Sequence, residues 1–234
     1  MASKNKKKAE EQSASALENS EVLAEQLSRT EEFIENNKIL VFGVVGALFL
    51  LVAGVFGWNY YQTSQNELAQ SEMFQAIYYF ESDSLDLALN GDGNNLGFTD
   101  ISSDYSMTAA GNLANFYAGS AYLKQGKYKL AILYLEDFSS SDNLVQARAY
   151  SLTGDAHMEL GQFDEAVTYY EKAANYKPNK FFTPQYLMKQ ALAHEKLNNN
   201  EAAISAYTQI IEEYWESAEV QDAKKYKAQL QASS

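Results

Sequence analysis

Cysteine is absent from the 234-residue chain, and proline occurs only twice. Without cysteine the chain has no disulfide, no thiolate metal site and no acylated cysteine anchor. So few prolines, beside abundant Ala, Leu, Glu, Gln and Lys, favour long helices over a sheet with many turns. The composition therefore predicts an all-α protein.

Positive charge is also scarce, with 18 Lys and Arg against 31 Asp and Glu and a net charge of −13. Because a chain this acidic repels polyphosphate, we expect no nucleic-acid partner. The sequence has neither a phosphate-binding glycine loop nor a nucleophile elbow, and its two histidines occupy equivalent positions of a repeat described below. We therefore expect no catalytic residue, cofactor, metal or small-molecule substrate, and interpret the chain as non-enzymatic.

One long uncharged run interrupts this acidic sequence. It reads ILVFGVVGALFLLVAGVFGW from Ile39 through Phe49 to Trp58. As a helix with a rise of about 1.5 Å per residue it is roughly 30 Å long, which matches the hydrocarbon core of a bilayer. A buried core helix is rarely this long without a polar residue, and 38 residues precede the run, too many for a simple signal peptide. The run predicts a permanent single-pass membrane anchor.

The basic residues near this run predict its orientation. After the run the next basic residue is Lys124, whereas six precede it. The positive-inside bias therefore predicts a cytoplasmic N-terminus and an exported C-terminal part, which in a bacterial inner membrane faces the periplasm. The six are Lys4, Lys6, Lys7, Lys8, Arg29 and Lys38.

The segment before the run has two parts. Residues 1–16 lack the apolar side chains that a core needs, so we expect them to be disordered. From Ser20 onward, Leu23, Leu27 and Ile34 predict a short amphipathic helix. That helix either lies on the cytoplasmic headgroups or a membrane partner, or is a frayed extension of the span.

The C-terminal part contains an internal repeat. Residues 118–138 read AGSAYLKQGKYKLAILYLEDF, and residues 153–173 read TGDAHMELGQFDEAVTYYEKA, with matching positions 35 apart. Residues 191–210 form a third copy at an offset of 37. The period predicts stacked helix–turn–helix units. The matches are Gly119, Gly126, Tyr128, Ala131 and Leu135 with Gly154, Gly161, Phe163, Ala166 and Tyr170.

Each copy carries a signal for the turn between its two helices. Gly126 and Gly161 stand where the first helix must end in a left-handed residue, and Asn198 replaces them in the third copy. A small residue follows early in each second helix, where it permits close approach of the axes. These residues are Ala131, Ala166 and Ala203.

The linker before the third copy is two residues longer than its predecessor. It contains Phe181 and Phe182, and we expect Thr183 to cap the next helix, with Pro184 at the first helical position.

These residues resemble the tetratricopeptide repeat, and the second copy follows its pattern most closely. The first copy departs from it at Phe138, and the third at Ala191 and Asn198. The resemblance implies an all-α protein with a single N-terminal transmembrane helix followed by a tetratricopeptide-repeat α-solenoid. The matching residues are Gly154, His157 in the place of Tyr, Gly161, Ala166, Tyr170, Ala173 and Pro178.

The chain is thereby divided into five predicted segments. Residues 1–37 form a cytoplasmic tail with a short amphipathic helix, and residues 38–61 form the transmembrane helix. Residues 62–111 form a helical neck and a degenerate first hairpin. Residues 112–217 form three tetratricopeptide repeats, and residues 218–234 form a C-terminal capping helix.

The resemblance also implies that the first helices of the repeats line a concave groove. Apolar side chains there would hold an amphipathic helix or an extended peptide of a partner. The alternative is that some of them pack against the neck or the capping helix. The predicted partner-binding residues are Leu113, Phe116, Leu123, Met158, Met188 and Leu192.

The anchor region resembles the YfgM family, ancillary subunits of the bacterial Sec translocon. The resemblance rests on FIENNK at residues 33–38, a glycine-spaced span, and GWNYY at residues 57–61. It implies a single-span inner-membrane protein with a periplasmic repeat domain that associates with SecYEG and with a PpiD-like membrane-anchored chaperone. Residues 81–107 depart from the family pattern.

We therefore interpret the chain as an adaptor that binds a periplasmic chaperone through its repeat groove. Two alternatives stay open at this point. One is a cell-envelope scaffold with the same topology, and the other is a mitochondrial outer-membrane import receptor whose repeats face the cytosol.

Overall fold

The computed structural model describes residue 24 and residues 27–233, and all regular elements within them are helices. The chain divides into two compact units, one ending at Tyr60 and the other beginning at Tyr61. The predicted disorder of residues 1–16, and Leu23 of the predicted amphipathic helix, lie outside the described residues.

The first unit contains helix α1 (27–36) and the start of helix α2 (Lys38–Glu81). No residue in the apolar stretch of α2 is buried, and Ile39, Phe49 and Trp58 are exposed. By length and composition α2 is able to cross a membrane.

The second unit contains the rest of α2 and nine further helices in its described residues. Each helix from α3 onward packs against its neighbour in the chain, which produces a stack of antiparallel pairs. The pairs α5–α6, α7–α8 and α9–α10 correspond to the three sequence copies. The helices are α3 (Leu85–Asn90), α4 (Phe98–Asp104), α5 (Ala109–Lys124), α6 (Tyr128–Asp137), α7 (Asn143–Glu159), α8 (Phe163–Asn175), α9 (Thr183–Lys196), α10 (Asn200–Glu213) and α11 (Val220–Ser233).

The turns between paired helices confirm the left-handed positions. Gly126, Gly161 and Asn198 have φ of 71°, 72° and 56°. After each of them the next backbone N–H reaches back to a carbonyl in the last turn of the preceding helix, as in the bond from Gln162 N to His157 O at 2.9 Å. This bond satisfies one of the carbonyls that a helix end leaves open.

Within the second repeat the two helices touch at Gly154. A Cβ atom built on this glycine would lie 2.6 Å from Cε1 of Tyr170, too close for any side chain. Gly119 has the same relation to Leu135, whose Cγ would lie 2.6 Å away. The missing side chain therefore lets a large residue of the second helix lie directly on the first helix.

The linker before α9 corrects the predicted start of that helix. Thr183 is the first residue of α9 and Phe182 occupies the N-cap position, so the prediction of Thr183 as the cap is wrong, and Pro184 is the second helical residue instead of the first. The reason is local, because the Thr183 hydroxyl oxygen accepts a hydrogen bond from Asn179 N at 2.8 Å. Its side chain closes the linker turn instead of capping the helix.

Both ends of the repeat array are covered. At one end Ala69, Met73 and Ala76 of α2 are buried against α3, α4 and α5. At the other end Ala223 of α11 is fully buried, and the ring of Tyr226 lies 5.9 Å from that of Tyr207. Terminal elements of this kind shield the apolar faces of a repeat stack from water.

The two histidines occupy equivalent positions but have different surroundings. The His157 ring stacks on Tyr169, with centroids 5.2 Å apart, and its Nδ1 pairs with Gln162 Oε1 at 2.8 Å. His194 is half-buried, and its Nδ1 has no hydrogen-bond partner within the described residues. Burial lowers the pKa of His194 from 6.5, and this effect exceeds the opposing influence of Glu171.

We predict that Gly154→Ala destabilises the repeats. The free energy of unfolding should fall by about 1–2 kcal/mol, because overpacking costs about 1–3 kcal/mol and the better helix propensity of alanine recovers up to about 1 kcal/mol. Urea denaturation followed by circular dichroism measures the change. Ser205→Ala, at an exposed site of α10, is the control. An unchanged denaturation midpoint for Gly154→Ala would contradict the close contact.

We predict that stability falls as the pH drops below about 6.5, the usual pKa of histidine. Because the folded-state pKa of His194 is lowered, the unfolded chain binds the proton more readily, so the contribution is present above that pH and lost below it. Denaturation at about pH 7.5 and about pH 5.5, on either side of this pKa, measures the loss. His194→Gln should reduce it, and an equal loss in that variant would exclude His194 as the cause.

Candidate protein-binding surface

The first helices of the three repeats, α5, α7 and α9, form one continuous surface. Residues at intervals of three or four share one face of a helix, and those on this face of α7 are Arg148, Ser151, Asp155 and Met158. The surface has two depressions, and a polar cluster forms part of the wall of one of them. We name it the groove.

The upper depression lies toward the N-terminal ends of α7 and α9. Its volume is about 210 Å³, and apolar side chains make up most of its wall. Phe116 of α5 and Tyr186 of α9 form two sides, and Arg148 supplies the only formal charge among the residues that line it. This depression suits an apolar side chain that has a negative charge nearby.

The lower depression lies toward the C-terminal ends of the same helices and has a volume of about 410 Å³. Leu123, Met158 and Leu192 contribute one apolar side chain from each of the three repeats. Glu159 lies at its edge and accepts a hydrogen bond from the Tyr128 hydroxyl at 3.2 Å. Methionine adapts its shape easily, so the wall of this depression can fit more than one side chain.

The polar cluster joins the second repeat to the third. Lys189 Nζ lies 2.7 Å from both carboxylate oxygens of Asp155 and donates to Ser151 Oγ at 3.2 Å. Tyr170 donates its hydroxyl proton to Asp155 Oδ1 at 2.8 Å. The two charged side chains keep 38% and 28% of their surface exposed, so a bound polypeptide could still reach them.

The buried Tyr170 holds Asp155 in place. Burial raises the pKa of the Tyr170 hydroxyl far above its usual value, and the charge and hydrogen bond of Asp155 raise it further. The hydroxyl is therefore a neutral donor at every physiological pH. A partly exposed ion pair is worth no more than about 1 kcal/mol, so Lys189 and Asp155 contribute position more than stability.

The structure brings together three of the six predicted groove residues, namely Leu123, Met158 and Leu192. Phe116 lines the other depression. Leu113 packs against the buried cluster that contains Leu135 and also against the neck, while Met188 packs against the cluster that includes the capping helix. Both of these residues line neither depression. Partner binding by any of the six stays a prediction.

Sequence reasoning missed Lys189 and Tyr186. The apolar pattern on α9 favours Met188 and Leu192, which are four residues apart. Lys189 lies three residues before Leu192, and Tyr186 lies three residues before Lys189, so each successive pair has a helical spacing. A lysine within an apolar helical face was the signal that could have identified the cluster.

Metal ligands do not converge in the part of the chain that the structure describes, where no group of three His, Asp or Glu side chains could hold an ion. Equivalent positions of neighbouring repeats carry His157 and His194 on separate helix pairs, and His157 stacks on Tyr169 of its own repeat.

Comparison with known families agrees with this geometry. Residues 113–180 match one tetratricopeptide repeat family, and residues 185–217 match a second. Comparison with curated proteins finds no match. The matched segments cover the pairs α5–α6, α7–α8 and α9–α10, whose first helices form the groove. The chain therefore carries tetratricopeptide repeats, and such repeats indicate binding to other proteins.

Proposed function

We propose that the chain is a non-enzymatic, membrane-anchored adaptor whose groove binds a segment of a protein partner. The observation that carries this proposal is the groove across three repeats, in which an apolar depression lies on the same surface as a depression lined by both apolar side chains and the polar cluster. A long exposed apolar helix in the same chain supports the anchor.

The two depressions and the polar cluster define the kind of segment that fits the groove. An amphipathic helix presents apolar side chains at intervals of three, four and seven residues, so two of its anchors can enter the two depressions. A polar side chain beside the anchor in the lower depression then meets Lys189 and Asp155, which are fixed and still accessible. A purely apolar segment would remove this ion pair from water without replacing its contacts with solvent, which disfavours such a segment.

The finer proposal is that the chain is an ancillary subunit of the SecYEG translocon and that its groove binds a PpiD-like periplasmic chaperone. The support is the resemblance of residues 33–38 and 57–61 to the YfgM family, together with the repeats that follow. In this arrangement the N-terminus is cytoplasmic and the repeats are periplasmic. The adaptor then holds the chaperone beside polypeptides that leave the channel.

We predict that Leu192→Asp lowers recovery of the chaperone at least about tenfold in a mild-detergent pull-down of the tagged full-length chain, because a charge then enters the lower depression. Leu192 is 46% exposed, so the fold should tolerate the change. Leu133→Asp is the matched control, since Leu133 is 53% exposed on α6 and lines neither depression.

The pull-down tests the groove and the export role separately. Equal chaperone recovery with both variants would reject the groove as the binding surface. Recovery of envelope or cell-wall proteins in place of translocon subunits and a chaperone would reject the export role and favour a scaffold.

We predict that a cysteine at the exposed Ser205 reacts with a membrane-impermeant maleimide in intact cells whose outer membrane has been permeabilised. Because the natural chain has no cysteine, each single-cysteine variant gives an unambiguous signal. Ser13→Cys, before the span, should react only after lysis. The reverse labelling pattern would contradict the proposed orientation.

A further inference from the structure

The linker before α9 exposes aromatic side chains on the surface of the second unit. Phe181 is 68% exposed, and Phe182 is 36% exposed. The two extra residues of the third repeat offset lie in this linker. Leu144 and Trp215 are also exposed nearby, and we name these four residues the aromatic ridge.

The linker is a folded turn. Asn179 Oδ1 accepts hydrogen bonds from the backbone N–H groups of Phe181 at 3.1 Å and Phe182 at 2.9 Å. Lys177 Nζ donates to the carbonyl of Ser141 at 2.7 Å, which ties the linker to the preceding one. The backbone that carries the two rings is therefore held in position before any partner arrives, so binding loses less conformational entropy.

Phe181 stands between two depressions of the ridge. One, of about 450 Å³, is lined by Leu144, Pro178 and Phe182. The other, of about 390 Å³, is lined by Tyr214 and Trp215 in the turn between α10 and α11. Each is large enough to receive a side chain, and a contiguous exposed apolar patch marks an interaction site more often than scattered apolar residues do.

The charges around Trp215 select the partner. Glu213, Glu216 and Glu219 line this depression, against the single cation of Lys180. The Lys180 ammonium already lies over the Phe181 ring, 5.5 Å from its centroid. None of the three glutamates forms an ion pair with Lys or Arg within the described residues. The depression is therefore an aromatic surface with an excess of negative charge.

We propose that the aromatic ridge is a second docking surface, and that its occupant is a basic amphipathic segment of a protein partner. An Arg or Lys side chain of that segment stacks on Trp215 among the three carboxylates, as a cation does on an aromatic face. A large apolar side chain one helical turn away fills the depression beside Phe182. An acidic segment or an anionic lipid headgroup is repelled at the same place.

The test uses the full-length chain in detergent micelles and a fluorescent amphipathic peptide composed of Leu and Arg. Its counterpart carries Glu in place of every Arg. We expect fluorescence anisotropy to show saturable binding of the Leu–Arg peptide, weakening as salt is raised, and no binding of the Leu–Glu peptide. Failure of the Leu–Arg peptide to bind, or equal binding of both peptides, would overturn the proposal.

Variants locate the binding. Trp215→Ala and Glu216→Lys should each weaken the Leu–Arg peptide at least about tenfold, because they remove the aromatic face or reverse a charge. Glu201→Lys is the matched control, since Glu201 is exposed in the first turn of α10, about 18 Å along the helix from Glu213, which lines the depression. An equal loss in the control would reveal non-specific attraction to an acidic protein and overturn the proposal.

The proposal for the aromatic ridge goes beyond the proposed function of the groove. One further variant distinguishes peptide binding at the ridge from binding in the groove. Leu192→Asp, which changes the groove, should leave binding of the Leu–Arg peptide unchanged, because Leu192 lines neither depression of the ridge. Loss of the peptide in this variant would place the peptide in the groove and overturn the ridge. Tighter binding of the chain to anionic than to zwitterionic vesicles through Trp215 would also overturn it.

Discussion

The close contact of Gly154 with the ring of Tyr170 is the constraint on which the second repeat and its functional surface depend. A side chain at residue 154 would occupy the space of that ring, so the two helices approach only because none is present. Once Tyr170 lies across the first helix, its hydroxyl reaches Asp155, the residue after the glycine. A packing requirement of the core thus places a carboxylate in the groove.

The position of Tyr170 is occupied by different residues in the three repeats, and the polar contacts in the groove differ accordingly. The first repeat has Leu135, which offers no hydroxyl, and the third has Tyr207, which donates to Glu195 at 2.6 Å. Only the second repeat directs its tyrosine to an aspartate that also meets Lys189 of the third repeat. The polar cluster therefore forms between the second and third repeats, where it is part of the wall of the lower depression.

The fold could be predicted from the sequence because its signals are local and repeated. The left-handed residues Gly126, Gly161 and Asn198, and the small residues at helix crossings, each follow from backbone sterics at a fixed spacing. The linker was harder, because Asn179 and Thr183 close a turn through side-chain bonds that have no fixed spacing signal. There the expectation of a cap at Thr183 failed.

The candidate site was less predictable for a geometric reason. Several residues of one helix lie near the boundary between its exposed and buried faces, so a small rotation of the helix exchanges their roles. On α9 this exchange puts Met188 in the core contacts and Lys189 on the groove, although both are near the predicted face. A helix has about 3.6 residues per turn, so hydrophobic periodicity identifies its buried face only to within about one residue. The prediction of a binding surface needs a more exact assignment of each side chain.

A groove and a ridge on one repeat array have consequences for affinity. Each surface alone offers shallow depressions, which suits weak binding of a single segment. Phe182 and Leu144 line both the upper depression of the groove and a depression of the ridge, so the two surfaces are continuous. A partner that binds both surfaces forms its second contact within the same complex. When the connection between its two segments is short, the effective concentration of the second segment is in the millimolar range, so weak individual contacts are sufficient for binding. Two weakly binding surfaces then allow the reversible binding expected of an adaptor, because release from either surface lowers the affinity for the whole partner.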